Sequence, residues 1–377
     1  MKILFVAAGS QATVFALSPL ATAARNGGHQ VFMAAHADMM PVVAGAGLPG
    51  IALTSRPLGD FLTFDRAGRP LTIPADPAEG QRFAGGAFGR MAAANIEPLL
   101  ALARDWRPDL VVGGTLSYAA GLLAAHLGVP FVRQAWDAIE ADAIHPGAAL
   151  ELRPELDSLG LERFPEPELF IDICPPGVRP PGAAPAQLMR WIPGNQQRAL
   201  EPWMYRRGDR PRVCVTSGSR ASRASYDNSY EFLRDMATRI GALDVDLVVA
   251  APEAVAADLR AEFAGVRAGW IPLDVVAPTC DLLLHHAGGV TSMTGMNAGL
   301  PQLLIPNGPI LVPAARRMAA YGAAITLMPG EDSADAIADA CGELLADPAY
   351  RGRARDLARE ISGLPLPAQL VGVLENL

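Results

Sequence analysis

Short apolar runs alternate along this chain with longer stretches in which apolar residues recur every three or four positions. That alternation predicts strands buried on both faces and separated by helices, as a parallel α/β sheet requires. Lys2 to Ala8 reads as the first strand, and Phe15 to Gly27 as a helix ended by Gly27-Gly28. His29 to Ala35 is the next strand. Residues 51 to 87 break the pattern, being rich in Gly, Pro and charge with scattered aromatics. They predict a long loop or lid beside a site, since long loops in compact domains are often functional. The period returns with a helix over Phe88 to Trp106, a strand over Pro108 to Gly113, a helix over Tyr118 to Leu127 and a strand over Val129 to Gln134. Pro146 to Leu161 reads as more polar and irregular.

The segment CPPGVRPPGAAP, Cys174 to Pro185, is the best linker candidate, because its prolines stiffen it and lack N–H groups for a central strand. A second strand–helix series starts at Pro211 with RVCVTSG. It continues through a helix over Tyr230 to Ile240, DVDLVVAAP, LLLH, QLLIP and AAITLMP. Ala334 to Leu345 and Tyr350 to Ser362 read as amphipathic helices, and the break at Pro365 and Pro367 releases a last short one. With 377 residues the chain is long for one core, so two domains are expected, at 1–190 and 205–360, with 361–377 as a terminal helical segment.

Half of the residues are hydrophobic, ample for burial, and the formal charge of −8 argues against nucleic acid as the main partner. Anion binding must then rest on local geometry. Cys174, Cys214, Cys280 and Cys341 lie far apart, without the paired spacing of zinc ligands. They read as buried, reduced thiols of a cytoplasmic protein. The apolar start ILFVAAG has only Lys2 before it and breaks off by Gly9 to Thr13, which suits a buried strand better than a secretory leader. No apolar run approaches the ~20 residues of a membrane span, so no membrane is expected as a partner.

The candidate chemistry centres on HHAGGVT, His285 to Thr291, and on GLPQLLIP, Gly299 to Pro306. A buried strand turning tightly into a helix presents backbone N–H groups at one point, and the helix dipole adds partial positive charge there. Glycines let the backbone approach, Thr291 can donate a hydroxyl, and an imidazole can contact an oxyanion. The turn alone also fits an ordinary strand–helix loop.

Its surroundings, WIPLDVVAPTCDLLLHHAGG from Trp270 and NAGLPQLLIP from Asn297, resemble the donor-site signature of nucleotide-sugar-dependent glycosyltransferases of the GT-B fold. MKILFVAAGS, SPLATAARNGGHQV and LVVGGTLSYAAGLLAAHLGVPFVR extend the likeness over nearly the whole chain. It is similar to the bacterial enzymes that decorate antibiotics and polyketides, above all to the angucycline olivosyltransferases of the landomycin and urdamycin type.

The resemblance implies an α/β GT-B fold, two Rossmann-like domains whose parallel sheets face a central cleft, with the C-terminal helix crossing back to the N-terminal domain. It implies an acceptor site in the first domain and a donor site in the second. His286 aligns with the pyrophosphate-contacting histidine, and Gly289, Val290 and Thr291 would supply N–H groups and a hydroxyl. Ser219 would reach the same phosphates from the facing loop, although by itself it equally fits a helix N-cap. Trp270 matches the aromatic that stacks on the base, with Pro272 and Leu273 beside it. His285 reads as structural. The partners implied are a nucleotide-sugar donor and an aromatic polyketide acceptor, and a homodimer is compatible with the likeness. No cofactor or metal is implied, and DVD at Asp244 to Asp246 reads as a turn and strand edge.

The sequence departs from the family in two places. After PQLLIP the common pattern puts an Asp-Gln pair that holds sugar hydroxyls; here Ile310 and Leu311 stand there. An unpaired buried hydroxyl costs ~1–3 kcal/mol. The expected sugar therefore lacks hydroxyls at that place, as a 2,6-dideoxyhexose on dTDP does, unless this loop is displaced. Many relatives also carry a histidine in the first loop, where this chain has Thr13. Threonine is no general base at neutral pH, so Asp137, after the strand Val129 to Gln134, is the best candidate base. Ser10 could contact the acceptor or steer Asp137, and Asp142 and His145 are alternatives to it.

A phenol suits a carboxylate base, and Thr13, Phe61, Phe64, Phe83, Phe88 and Trp136 are candidates to line an acceptor pocket. The expected reaction is inverting transfer of D-olivose to an angucycline, O-linked by slight preference, with C-linkage as the alternative. A non-catalytic activator of a partner transferase or a nucleotide-sugar epimerase would reuse the same fold. A dinucleotide oxidoreductase fits less well, since GSQAT stands where GxGxxG is wanted.

Overall fold

The computed structural model describes residues 1–74, 76–219, 221 and 229–377. The first strand, β1 (Lys2–Val6), lies at the centre of a parallel sheet and is buried on both faces, which explains its unbroken apolar run. On one side follow β2 (Gln30–Ala35) and β3 (Gly50–Ala52). On the other follow β4 (Leu110–Gly114), β5 (Phe131–Gln134), β6 (Leu169–Asp172) and β7 (Gln187–Leu188). The order is β3-β2-β1-β4-β5-β6-β7. The second sheet has β8 (Arg212–Thr216), β9 (Asp246–Ala250), β10 (Arg267–Gly269), β11 (Leu282–His285), β12 (Gln302–Leu304) and β13 (Ala324–Thr326). Its order is β10-β9-β8-β11-β12-β13, also parallel. Each sheet reverses its winding once, between β1 and β4 and between β8 and β11. Such switch points open a crevice at the carboxyl ends of the strands, and ligands bind there.

Seven helices position the site. They are α1 (Gln11–Asn26), α2 (Pro77–Asp105), α3 (Tyr118–Leu127), α4 (Gly289–Asn297), α5 (Val312–Tyr321), α6 (Pro348–Gly363) and α7 (Pro367–Leu374). Helix α6 buries Ala354, Leu357 and Ile361, and α7 buries Leu370, Val371 and Leu374, in the same apolar cluster as β1 and α1. Thus the C-terminal helices of the second domain close back onto the first. Among the described residues no helix is long and apolar enough to cross a membrane.

Three sequence expectations differ from the structure. Cys174 to Pro185 is no linker: it holds a turn at Pro176–Val178 and leads into β7, within the first domain. The crossing runs from Met189 to Glu201 instead, because proline content marks a stiff loop without saying what it joins. Helix α2 starts at Pro77, well before Phe88. Asp76 caps it, accepting from Ala78 N at 3.0 Å and Glu79 N at 2.9 Å. Its glycines looked like helix breakers but serve close packing, since a Cβ on Gly85 would meet the Ile144 carbonyl oxygen at 2.0 Å. Their partner is the helix His145–Glu151, followed by another at Arg153–Ser158, in the stretch expected to be irregular.

Candidate active site

The carboxyl ends of both sheets face one cleft of about 420 Å³. From the first domain Ser10, Gln11, Thr13, Phe83, Phe88, Trp136 and Asp137 line it. From the second come Ser217 to Ser219, Trp270, His286, Gly288 to Thr291, Ile310 and Leu311.

In the second domain, β11 ends at His285, and this histidine and His286 after it are placed differently. His285 is fully buried and shares a 2.8 Å hydrogen bond between its Nε2 and Gln302 Oε1. Burial, and next the neighbouring His286, push its pKa down to about 3, so it is neutral. Gln302 Nε2 in turn donates to the Ser292 carbonyl at 3.1 Å, bracing the first turn of α4. The glutamine of the PQLLIP stretch therefore acts through His285, not on a ligand. His286 faces the cleft instead, its ring filling the space that a Cβ would need on Gly218 or Gly288. Between that ring and α4, Ala287 adopts φ 60°, the left-handed region that costs a residue with a Cβ and concentrates at functional turns. The turn aims the start of α4, with Gly289, Val290 and Thr291, into the cleft. Ser219 reaches the cleft from the loop after β8.

Trp270 is half-buried after β10 and is held edge-on: its Nε1 donates to the Gln196 carbonyl at 2.9 Å. Asp274 secures the same crossing segment, accepting from Asn195 Nδ2 at 3.0 Å and Gln197 Nε2 at 2.9 Å. An indole fixed by its edge in a cleft wall can serve as a stacking platform for a planar base. Leu273 lines the cleft beside it. Pro272 does not: it precedes the short helix Leu273–Val276 as its N-cap residue, outside the wall of the cleft.

In the first domain, Ser10 Oγ caps α1 by accepting from Thr13 N at 3.4 Å, and Thr13 Oγ1 donates to the Ser10 carbonyl at 2.8 Å. Both hydroxyls face the cleft while serving the helix end. Asp137 follows β5 and is 7% exposed. Burial pushes its carboxyl up to about 7, against the one opposing hydrogen bond it accepts, from Ile139 N at 2.8 Å. It abuts the start of α4: a Cβ built on Gly289 would lie 2.1 Å from Asp137 Oδ2. A carboxyl group of raised pKa thus stands beside an anion-ready helix terminus, a frequent property of catalytic acids and bases.

Trp136, Phe83 and Phe88 give the first-domain side of the cleft its aromatic walls, with the Phe88 and Trp136 ring centroids 6.3 Å apart. Two expected residues do not belong there. Phe61 is fully buried beneath the site, beside His36, and its carbonyl accepts from Arg90 Nε at 2.9 Å. Phe64 is 37% exposed, in a bridge to Pro70 away from the cleft. The helix that holds Phe61, Leu58–Thr63, turns Leu58 and Leu62 to the cleft, four residues apart on one face. Asp142 is exposed, and the His145 Nδ1 shares a 2.8 Å hydrogen bond with the Tyr118 hydroxyl, so neither competes with Asp137. Gln11, Asn195 and Thr294 also line the cleft, and no sequence pattern had singled them out. Of the DVD carboxylates, Asp244 pairs with Arg210 and Asp246 with Arg212 and Arg267.

Two parallel-sheet Rossmann-like domains facing a cleft, with an anion-ready turn on one side and a buried acid on the other, define a glycosyltransferase of the GT-B class. Comparison with solved structures agrees. The Streptomyces sp. SF2575 glycosyltransferase SsfS6, complexed with thymidine diphosphate, superposes with a TM-score of 0.89 at 33% identity, covering all of both chains. The spinosyn rhamnosyltransferase SpnG, complexed with thymidine diphosphate, gives 0.84 at 26%, again over all of both chains. Residues 81–218 match the N-terminal domain, and 234–377 the C-terminal domain, of the erythromycin biosynthesis protein CIII-like family. The chain belongs to that family, and it is a glycosyltransferase. Among curated relatives, L-demethylnoviosyl transferase of Streptomyces niveus is 32% identical over 371 residues, covering 98% of this chain and 96% of its own. The aclacinomycin-T 2-deoxy-L-fucose transferase of Streptomyces galilaeus is 26% identical, covering 100% and 96%.

Proposed function

We propose that the enzyme moves a deoxysugar, D-olivose, from dTDP to a phenolic hydroxyl of an angucycline-type aromatic polyketide, with inversion at the anomeric carbon. The observation that carries this reading is Asp137, a buried carboxyl beside the donor helix on the aromatic side of the cleft. In the reaction the acceptor O–H gives its proton to Asp137, and its oxygen bonds to the anomeric carbon. The bond from that carbon to the diphosphate oxygen breaks, and dTDP leaves with the electron pair. The backbone amides at Gly289 to Thr291, the Thr291 hydroxyl and the His286 ring are placed to stabilise the charge that develops on the leaving group. They do so with no metal required, which is part of the proposal. Trp270 stacks on the thymine, and Ser219 contacts the phosphates.

The raised pKa suits a phenol. A carboxylate at its usual value would take a proton from a phenol of pKa ~10 about six units uphill, a cost of about 8 kcal/mol. With Asp137 at about 7 the gap is about three units, or about 4 kcal/mol. Ile310 and Leu311 support the deoxysugar. They sit on the turn Pro309–Leu311 and pack against the apolar cluster shared by the two domains, and neither side chain can pair a sugar hydroxyl. Relatives named for deoxysugar transfer, including the 2-deoxy-L-fucose transferase, support the same donor class.

The test is turnover of dTDP-D-olivose with an angucyclinone, products being read by mass spectrometry and NMR. An inverted O-glycoside is expected. A C-glycoside would keep the donor and base assignments but move attack to the ring carbon. Bound dTDP without transfer would refute this acceptor or favour a binding-only role.

A further inference from the structure

The second domain grips the loop that carries Asp137. Arg317, on α5, crosses the domain boundary and uses each guanidinium nitrogen on the first domain. Its Nη2 donates to the Ala138 carbonyl at 2.6 Å and its Nε to the Val178 carbonyl at 2.9 Å, while its Nη1 pairs with Glu140. The side chain is 16% exposed. Ala138 is the residue after Asp137, and on the other flank Asp137 abuts Gly289. The loop is therefore held between α4 and α5 of the donor domain.

We propose that Arg317 is a positioning residue for Asp137, tying the base-bearing loop to the donor domain so that domain docking and placement of the base are one event. The ion pair with half-exposed Glu140 contributes little by itself. The hold comes from two carbonyls in a sheltered site, taken by a charged, planar donor whose fork fixes direction as well as distance. A lysine would restore the charge but has no rigid fork to span both carbonyls. Because Arg317 lies outside the cleft wall, it acts through the loop and touches neither donor nor acceptor.

The inference rests on the reading of Asp137 as the base, and the experiment separates the two. Steady-state transfer from dTDP-D-olivose to a phenolic acceptor is measured for the full chain and for Arg317→Met, Arg317→Lys, Asp137→Asn and the Asp137→Asn/Arg317→Met double variant. Affinity for dTDP and Tm are measured alongside. Arg317→Met should lower kcat on the order of 10²-fold while Kd for dTDP stays within about two-fold, because a misplaced base slows chemistry and leaves donor binding intact. Arg317→Lys should recover a minor part of the loss. It carries the kcat-against-Kd comparison should the methionine variant fail to fold. Arg317→Met should cost nothing further in the Asp137→Asn background. Wild-type kcat in either Arg317 variant, or an equal cost in both backgrounds, would overturn the inference alone. Full activity of Asp137→Asn would overturn the underlying assignment.

Discussion

Replacing Gly289 by alanine tests whether the donor helix and Asp137 are built around each other. The usual account of a glycine in such a turn is that it lets a phosphate approach the backbone. Here the space over Gly289 is already filled. A Cβ there would lie 2.1 Å from Asp137 Oδ2 and 2.4 Å from its Cγ and Cβ, where ordinary contact begins near 3.4 Å. The carboxyl group must therefore retreat by about 1.3 Å, and a displacement of that size costs on the order of 10²-fold in rate. The backbone itself tolerates alanine, since Gly289 opens a helix without positive φ. Kd for dTDP should accordingly change little, and the loss should fall on kcat. Stability should drop by ~1–3 kcal/mol through overpacking. Asp137→Gly is the partner for a double-mutant cycle, because the Asp137 Cβ is itself too close for alanine to free the space. In that background Gly289→Ala should no longer lower Tm. Calorimetry and steady-state kinetics on the four proteins decide it. Unchanged kcat and Tm in Gly289→Ala, or equal destabilisation in both backgrounds, would refute the contact.

Four further outcomes follow from the site. With Asp137 as the proposed base, its carboxyl must be ionised to accept a proton, so kcat/KM should rise through pH 7 and level off above it, and Asp137→Asn should lose that limb. The same raised pKa has a stability sign. The folded protein holds this proton more tightly than the unfolded chain, so the stability it confers is full below pH ~4 and lost as pH rises through about 7. Asp137→Asn should accordingly raise Tm more at pH 8 than at pH 4.5; equal shifts would contradict the burial argument. Ile310→Asp combined with Leu311→Gln should move the kcat/KM ratio of dTDP-glucose to dTDP-olivose upward by at least about tenfold, read by donor competition. An unchanged ratio would place sugar selection elsewhere. Asp274→Ala frees Asn195 and Gln197 and with them the segment that fixes Trp270. It should weaken dTDP binding by part of the ~1–3 kcal/mol that base stacking contributes, seen by titration calorimetry. Unchanged affinity would mean that the indole needs no strap.

The sequence showed most where one local pattern decides one structure. Buried strands such as Lys2–Val6 and Leu282–His285 stood out as apolar runs, and the Gly-Gly turn after His286 followed from its punctuation. Asp137 stood out because the first loop carries Thr13 instead of a histidine, and because it follows a strand end. Direction was harder to read. Phe61 and Leu62 are neighbours in one loop, yet the turn of the helix Leu58–Thr63 sends Leu62 to the cleft and Phe61 into the core. The start of α2 was hidden by its glycines, although Asp76, Pro77 and Glu79 spelled a helix N-terminus. Arg317 and Asp274 left no local trace at all. Their partners lie 179 and 77 residues away, and only the docking of the two domains, for Arg317, and the path of the crossing segment, for Asp274, bring them together.

The most direct test of the account compares wild-type enzyme with Asp137→Ala in transfer from dTDP-D-olivose to an angucyclinone, with dTDP affinity measured for both. The account predicts an inverted olivoside from the wild type, and loss of transfer in the variant with dTDP still bound as tightly. Transfer at the wild-type rate by the variant, or no binding of dTDP by either protein, would contradict it.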